Sequence, residues 1–498
     1  MSLFLGIDAG GTVIKAALFD GQGREIAAGV APMTNSHPQP GRSERDPIAM
    51  WEASAAAIRQ VLAAPGVDTG AIAAVACTGH GNGVYVFDGQ MQPACPGIIS
   101  SDMRTHDLCQ ALMASEQGQA LVAHSRQQLR PASTPLYLLW FDRHAPEVTR
   151  TARHVLLCKD YVRYRLTGSI DSDLNDLSGS HLVHVGTRDY DAPMFEALGI
   201  GHWLERMPRI RRNSEIVGTV TREAAVATGL RPGTPVVAGT MDLDAVALAS
   251  GVNRPGELAI CAGTWSINLM VQDEPAGPPF PLMQCLDQDG SRCLVVEGSP
   301  TSATNLAWFK SGVLDDSLDF AQINALVEEV PPEASRLLYL PYIHGAPGAP
   351  RGAFVGLGAE NGRAEMLRAL FEGVVFKHQA HVADLVRVTG RTPEVARLSG
   401  GAAKSAVWAQ MFADVLELPV EVAAGSELGA LGSAICAAVA VGAYPDFAAA
   451  IAGMVRLERR FEPRAQLVEV YRQKAADWHK VEDCLAPAWA KLGGPPAR

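Results

Sequence analysis

The stretch LFLGIDAGGTVIKAALFD, residues 3–20, decides the fold, because a near-copy, ELAICAGTWSINLMVQ, recurs at residues 257–272. Each is an apolar strand, a turn of small residues and a second apolar strand. The turn is AGGT at 9–12 in the first copy and AGT at 262–264 in the second. Glycine lacks the Cβ that would keep backbone N–H groups away from an anion, and the threonine hydroxyl adds a donor. A third strand pattern follows each hairpin, REIAAGV at 24–30 and CLVVEGS at 293–299. Self-similarity at a period of about 250 residues predicts a duplicated domain rather than a solenoid of short repeats.

Working outward, Pro47 opens an amphipathic helix that runs to Leu62, a position where the missing N–H costs nothing. Strand patterns follow at residues 71–78 and 84–88, and the span 100–212 reads as a mostly helical insertion on the first lobe. A second cycle begins at Pro235, with VVAGT as strand and DLDAVALASG as helix. The last third carries a helix over residues 364–388, a strand at 395–398, the segment SGGAAKS at 399–405, and an Ala/Gly-rich helix ending near Val441. The expected domains are 1–245 and 246–498 of an α/β protein.

At 498 residues the chain exceeds what one core supports. A hydrophobic content of 48% with 19% charged residues is that of a globular protein. The net charge of -11, from 42 basic and 53 acidic residues, offers no basic face to nucleic acid or an anionic membrane. An anionic ligand must therefore meet local donors. Nine scattered cysteines, an odd number, point to reduced thiols and a cytoplasmic protein. The first residues, MSLFLGIDAGG, lack the basic region of a signal peptide. The charge-free stretch 428–444 contains Gly429, Gly432 and Gly442 and falls short of the ~20 apolar residues of a membrane span, so a buried helix is expected.

Three elements carry candidate chemistry. Asp8 ends the first strand at its turn, where a carboxylate can hold Mg²⁺ directly or through water. Residues 399–405 follow a strand and open a helix, which turns backbone donors toward a phosphate or nucleotide. They do not form a Walker A loop, since Ala403 rather than glycine precedes Lys404; a plain strand-to-helix turn is the alternative. The loop Thr78-Gly79-His80-Gly81-Asn82-Gly83 places polar side chains just after a strand.

IDAGGTVIKAALFD at 7–20, PGRSERDPIAMW at 40–51, GTMDLDAVALASG at 239–251, CAGTWS at 261–266 and SGGAAKS at 399–405 together resemble, in order and over essentially the whole chain, the FGGY carbohydrate kinase family of xylulose, glycerol, ribulose and gluconate kinases. The resemblance implies two actin-like (ribonuclease H-like) lobes with a nucleotide cleft between them, the N-terminal lobe carrying the sugar site and the C-terminal lobe the nucleotide site. It implies ATP and Mg²⁺ as cofactors and a homodimer. Asp242 corresponds to the family's catalytic base, with Asp244 as competitor and a helix cap as the structural alternative for either. Nucleotide contacts fall on Gly10, Gly11, Thr12, Lys15, Gly263, Thr264, Gly400, Gly401, Ala402 and Ser405, and the metal on Asp8 and Asp242. Sugar contacts fall on His80, Asn82, Asp102, Arg104 and Asn175, with Asp176 beside them and Asp242 reaching the reacting hydroxyl. Thr301, Asn305 and Trp308 face either the sugar or the base.

Two departures bear on the substrate. Common xylulose kinases place Met-His where this chain has Gly81-Asn82, and Trp-x-Asp is here Ser100-Ser101-Asp102. A smaller, more polar pocket follows, most similar to kinases of L-xylulose and 3-keto-L-gulonate, then to kinases of four-carbon polyols or glycerol-like substrates. A non-catalytic, nucleotide-binding actin-like regulator is the reading from another class; the polar loop at 78–83, the helical insertion and the lack of a basic module speak against it.

Overall fold

The computed structural model describes residues 2–343 and 351–491. Its first sheet is built from β1 (Leu3–Ala9), β2 (Val13–Asp20), β3 (Glu25–Pro32), β4 (Ile72–Gly79), β5 (Ile216–Thr219) and β6 (Pro235–Met241), ordered β5-β6-β4-β1-β2-β3. The second contains β7 (Glu257–Ala262), β8 (Ser266–Gln272), β9 (Cys293–Ser299), β10 (Val395–Gly400), β11 (Val420–Ala423) and β12 (Leu457–Phe461), in the order β9-β8-β7-β10-β11-β12. The helices needed below are α1 (Pro47–Leu62), α2 (Cys158–Thr167), α3 (Leu174–Gly179), α4 (Asp242–Ala249), α5 (Arg363–Thr389), α6 (Ala406–Leu416) and α7 (Leu428–Ala440).

The duplication expected from the two hairpins is present in the strand pairing, and the second sheet carries one further strand, Met283–Leu286, outside β9. β1 pairs antiparallel with β2 and parallel with β4, which pairs parallel with β6, and β5 closes that edge antiparallel. Likewise β7 pairs antiparallel with β8 and parallel with β10, β10 parallel with β11, and β12 closes that edge antiparallel.

The chain divides into two compact units that do not follow one cut. Unit 1 holds residues 1–255, 271–295 and 424–456; unit 2 holds 256–270, 296–423 and 457–498. The first break lies ten residues beyond the 245/246 boundary expected from sequence, and α7 belongs to unit 1. In unit 1 one face of the sheet carries α1, whose buried Met50, Trp51, Ala55, Ile58 and Val61 join Leu5, Ile7, Ile14 and Val75 in a core. The other face carries α7, which packs on β1, β4 and α4. Small residues make that approach possible: a Cβ at Gly6 collides with the backbone of Ala430, and one at Gly432 with the backbone of Ala245. Residues 100–212 are mostly helical, as expected, and form a separate core around Leu136, Tyr137, Phe141, Phe195 and Trp203. Burying five such side chains contributes on the order of 10 kcal/mol before chain entropy is counted. Among the described residues no helix is long and apolar enough to cross a membrane.

Candidate active site

In unit 1 the parallel strands β1, β4 and β6 lie side by side, so their carboxyl ends deliver three segments to one edge of the sheet. The register pairs Asp8 with Thr78 and Met241 with Gly79. Asp8, the His80–Asn82 loop and Asp242 are thereby neighbours. The crevice beyond the carboxyl ends of parallel strands is where open α/β sheets bind ligands. A register shift between Val237 and Thr240 re-aims the end of β6. Gly239 makes it possible: its φ is 80°, and a Cβ there would collide with the Cys77 carbonyl. Thr78 Oγ1 then donates to the Thr240 carbonyl at 2.7 Å, locking β4 to β6.

The two aspartates at the start of α4 have different surroundings. Asp244 is fully buried, and both its oxygens are taken: Oδ2 lies 2.5 Å from Thr240 Oγ1 and Oδ1 2.5 Å from Gln288 Nε2. Asp242 is half-buried, and its Oδ1 accepts its own neighbour's N–H, that of Leu243, at 2.7 Å. Burial, the Asp8 charge and the Asp176 charge push the Asp242 carboxyl up to about 7, against the Leu243 and Gly81 N–H groups that it accepts. The Asp244 carboxyl is likewise pushed to about 7 by burial.

Asp8 Oδ1 is buried without a hydrogen-bond partner. Burial raises this carboxyl to about 6; Lys15 works against the shift and Glu427 adds to it. Lys15, directly across the β1–β2 pair from Asp8, is held by Glu427 at 2.9 Å. Its ammonium therefore neutralises a carboxylate already in place rather than standing ready for a nucleotide. Gly429 is required here, since a Cβ would run into the Asp8 carboxylate. An unpartnered carboxylate oxygen, a second carboxylate whose proton affinity it raises, and oxygen-only donors form a set that suits a hard divalent cation such as Mg²⁺.

The glycine-rich turn between β1 and β2 is anchored from outside. The Gly11 carbonyl accepts from Arg45 Nη2 at 2.5 Å and from Asn35 Nδ2 at 2.7 Å, and Arg45 Nε donates to Asn35 Oδ1 at 3.0 Å. Gly11 and Thr12 stay exposed. Arg45, 1% exposed, was not singled out by sequence. The PGRSERDP motif contains it, but an arginine ahead of a helix cap gives no sign of a partner 34 residues away.

Of the expected sugar contacts, His80 and Asn82 stand on the β4 loop. His80 Nε2 lies 3.2 Å from the Tyr85 hydroxyl, and burial, with Arg45 and Lys159 adding, drives the imidazole down to about 3, so it is neutral. Asn82 takes a left-handed backbone (φ 61°) and its Oδ1 accepts from Arg130 Nη2 at 3.3 Å. Asp102, Arg104 and Asn175 are committed elsewhere. The fully buried Asp102 carboxylate accepts the Ser43 and Arg104 backbone N–H groups at 2.7 and 2.9 Å and the Arg104 Nε and Nη2 at 2.9 Å each. Four donors use the acceptor capacity of a carboxylate, so no lone pair remains for a sugar hydroxyl. Arg104 also donates to Glu44 at 2.7 Å and lies over the Trp140 ring. Asn175 is a brace: its Oδ1 accepts the Met241 N–H at 3.1 Å while its Nδ2 donates to the Leu286 carbonyl at 2.7 Å, which fixes the residue before Asp242.

Beneath the loop lies a charge cluster that sequence did not reveal. Lys159, on α2, sits 2.5 Å from Asp176, 2.6 Å from Asp173 and 3.3 Å from Asp160, all with fully buried side chains. Arg163 adds a second cation to Asp160 at 2.9 Å. The carboxylates hold the Lys159 ammonium above its ordinary range. Removing one member of such a buried network costs about 3–5 kcal/mol.

In unit 2 the ends of β7 and β10 meet in the same way, with Ala262 opposite Gly400. Gly400 has φ 84°, and a Cβ there would press on the Ala262 carbonyl and, at 2.9 Å, the Gly263 nitrogen. Gly263 and Thr264 therefore stand beside Gly400 and Gly401. Residues Ala402–Lys404 form a single tight turn rather than the first turn of α6. Ala402 is buried. Ser405 is the cap of α6: it accepts the Trp408 N–H at 3.1 Å and donates to Asn324 at 2.8 Å, so its hydroxyl is engaged in the fold. Asn305 and Thr301 bond each other at 2.7 Å, and Trp308 is 39% exposed.

Comparison with known proteins agrees with this architecture. Residues 3–249 match the N-terminal domain, and residues 258–441 the C-terminal domain, of the FGGY family of carbohydrate kinases. The chain is 32% identical over 476 residues, 95% of each chain, to the L-xylulose/3-keto-L-gulonate kinase of Escherichia coli (strain K12). It is 33% identical over 453 residues, 90% of this chain and 92% of the other, to a probable L-xylulose kinase of Pasteurella multocida (strain Pm70). The crystal structure of xylulose kinase from Rhodospirillum rubrum superposes with a TM-score of 0.86 at 27% identity, covering 98% of this chain and 99% of that one. The two duplicated sheets are those of the two-lobed, actin-like sugar kinases, and the chain belongs to the FGGY family of carbohydrate kinases.

Proposed function

We propose that this kinase transfers the γ-phosphoryl group of ATP to a hydroxyl of a small ketose of the L-xylulose or 3-keto-L-gulonate type. The observation that carries the reading is Asp242: half-buried at the carboxyl end of β6, held to the polar β4 loop by the Gly81 N–H, and, unlike Asp244, met by backbone donors alone rather than by buried side chains. A general base must reach the proton it removes, and a proton affinity raised toward neutral pH suits that task. Asp244, with both oxygens engaged, serves as scaffold for the start of α4.

In this reading His80 and Asn82 line the sugar site. Neutral His80, its ring nitrogens facing the Gly81 carbonyl and the Tyr85 hydroxyl, shapes the loop without adding charge, while Asp102, Arg104 and Asn175 position the surrounding loops. Asp242 orients the acceptor hydroxyl and takes its proton as the oxygen attacks phosphorus. A phosphoryl-transfer transition state is loose, so positioning and charge neutralisation do most of the catalytic work. Asp8 and Asp242 would hold Mg²⁺, whose positive charge offsets that of the phosphates. The backbone N–H groups of Gly10, Gly11 and Thr12 in unit 1, and of Gly263, Thr264, Gly400 and Gly401 in unit 2, are the proposed donors to the nucleotide. Unit 1 carries the sugar site and unit 2 the nucleotide site. Nine free thiols fit operation in the cytoplasm, and a homodimer is the expected assembly.

The test is ADP release by the purified protein with Mg-ATP across ketopentoses, keto sugar acids and short polyols. Turnover is expected to be fastest with L-xylulose-type sugars and to fall ~10²–10⁴-fold in Asp242→Ala. Preference for a four-carbon polyol would move the substrate to the alternative class, and absence of turnover on every member overturns the reading.

A further inference from the structure

Unit 2 gathers metal-ligating side chains outside the residues assigned above. Glu297 and Ser299 stand two apart on β9 and so share a face of the strand. His381 and Asp384 stand three apart on α5 and share a stripe of the helix. The ligand atoms of Glu297, His381 and Asp384 all lie within 4.8 Å of one another. His381 Nε2 lies 3.2 Å from Ser299 Oγ. His381 is 7% exposed, and the two carboxylates are half-buried. Among the described residues no other group of His, Cys, Asp and Glu meets this spacing.

We propose that Glu297, His381 and Asp384 bind a divalent transition-metal ion of the Zn²⁺ or Co²⁺ class, which fastens β9 to α5. Two carboxylates brought this close repel, and a cation between them removes that cost. His381 offers a buried imidazole nitrogen, and the neutral imidazole is the form that ligates. One nitrogen and two carboxylates suit borderline ions, whereas Mg²⁺ selects oxygen alone. Metal–ligand bonds of ~2.0–2.2 Å bring tetrahedral donors to about 3.4 Å from one another. The three groups therefore draw in by up to about 1.4 Å, within the reach of half-exposed carboxylate rotamers. Asp384 also holds Arg387 at 2.8 Å, and this half-exposed guanidinium is the cation the ion displaces. The inference is independent of the sugar and of the assignment of Asp242.

The test uses the full-length protein, stripped with chelator and free of nucleotide, titrated with Co²⁺ by visible absorption and with Zn²⁺ by calorimetry. One equivalent is expected to bind, with visible Co²⁺ bands and without the near-ultraviolet charge-transfer band of thiolate ligation. Zn²⁺ is expected to raise the Tm. Glu297→Gln and Asp384→Asn, at half-buried positions, are expected to keep their circular dichroism and lose more than ~100-fold in affinity, as is His381→Gln. Asp8→Asn is expected to retain the signal. The proposal fails if the wild type shows no Co²⁺ band, if the band carries the thiolate signature, or if the Glu297 and Asp384 variants bind like the wild type.

Discussion

The two hairpins share a topology and differ in charge. In unit 1 the position two residues before the turn glycine is Asp8, with Lys15 opposite it across the β1–β2 pair. In unit 2 the corresponding pair is Cys261 and Ile267. One copy ends in a carboxylate whose buried oxygen lacks a hydrogen-bond partner; the other presents only backbone N–H groups and a threonine hydroxyl. Duplication thus supplied two frames with the same pairing around the hairpin, and the difference at one register position gives them different charge. The first can hold a cation and a base, and the second can meet phosphate oxygens without a competing negative charge.

Removing the charge from the first copy has the largest expected effect. Asp8→Asn is expected to lower kcat/KM by ~100-fold, the scale of deleting one electrostatic stabiliser of a transition state, with the fold retained by circular dichroism. Activity close to wild type would mean that the charge difference between the hairpins has no catalytic meaning. Adding charge to the second copy tests the converse. Cys261→Asp is expected to raise KM for ATP about tenfold, equivalent to ~1.4 kcal/mol of repulsion, with kcat less affected; an unchanged KM would remove the C-terminal hairpin from the nucleotide site.

The smallest effect concerns His80. Burial pushes its imidazole down to about 3, below the ordinary value of 6.5, so its ring resonances are expected not to titrate between about pH 5 and about pH 8 in NMR spectra. The stability consequence has a definite sign. Below about pH 6.5 the unfolded chain binds a proton at this histidine and the folded chain does not, so its contribution to stability falls on acidification by up to ~1.4 kcal/mol per pH unit until about pH 3. A titration midpoint near 6.5 would place His80 in water rather than against Tyr85.

The duplicated strands were legible because alternation, glycine turns and the repeated AG(G)T are local properties, and the helix at Pro47 was announced by its cap and apolar period; the helix after Met241 was expected too, but Met241 precedes it without a side-chain cap, so Asp242 is not its cap. Asp8 could be named from its place beside the turn after β1, and Asp242 from the resemblance of GTMDLDAVALASG to the family's motif. The roles of Asp102 and Asn175 could not. A carboxylate and an amide next to a loop look available in sequence, whereas their acceptor capacity is used by Ser43, Arg104 and Met241, residues up to 66 positions away. Arg45 and Lys159 escaped notice for the same reason, their partners being set by the fold. The swap of α7 into unit 1 was equally invisible: an Ala/Gly-rich helix announces close packing but not against which strand.

The sequence by itself determined the α/β architecture and its duplication, because hydrophobic period and turn residues act over a few neighbours, and the resemblance of its ordered motifs pointed to the family. Only the tertiary structure decided that Asp244 has both oxygens engaged by Thr240 and Gln288, that Lys15 is spent on Glu427, and that Glu297 meets His381 and Asp384. Those outcomes depend on burial and on partners brought from distant parts of the chain, and desolvation has no local signature in the sequence.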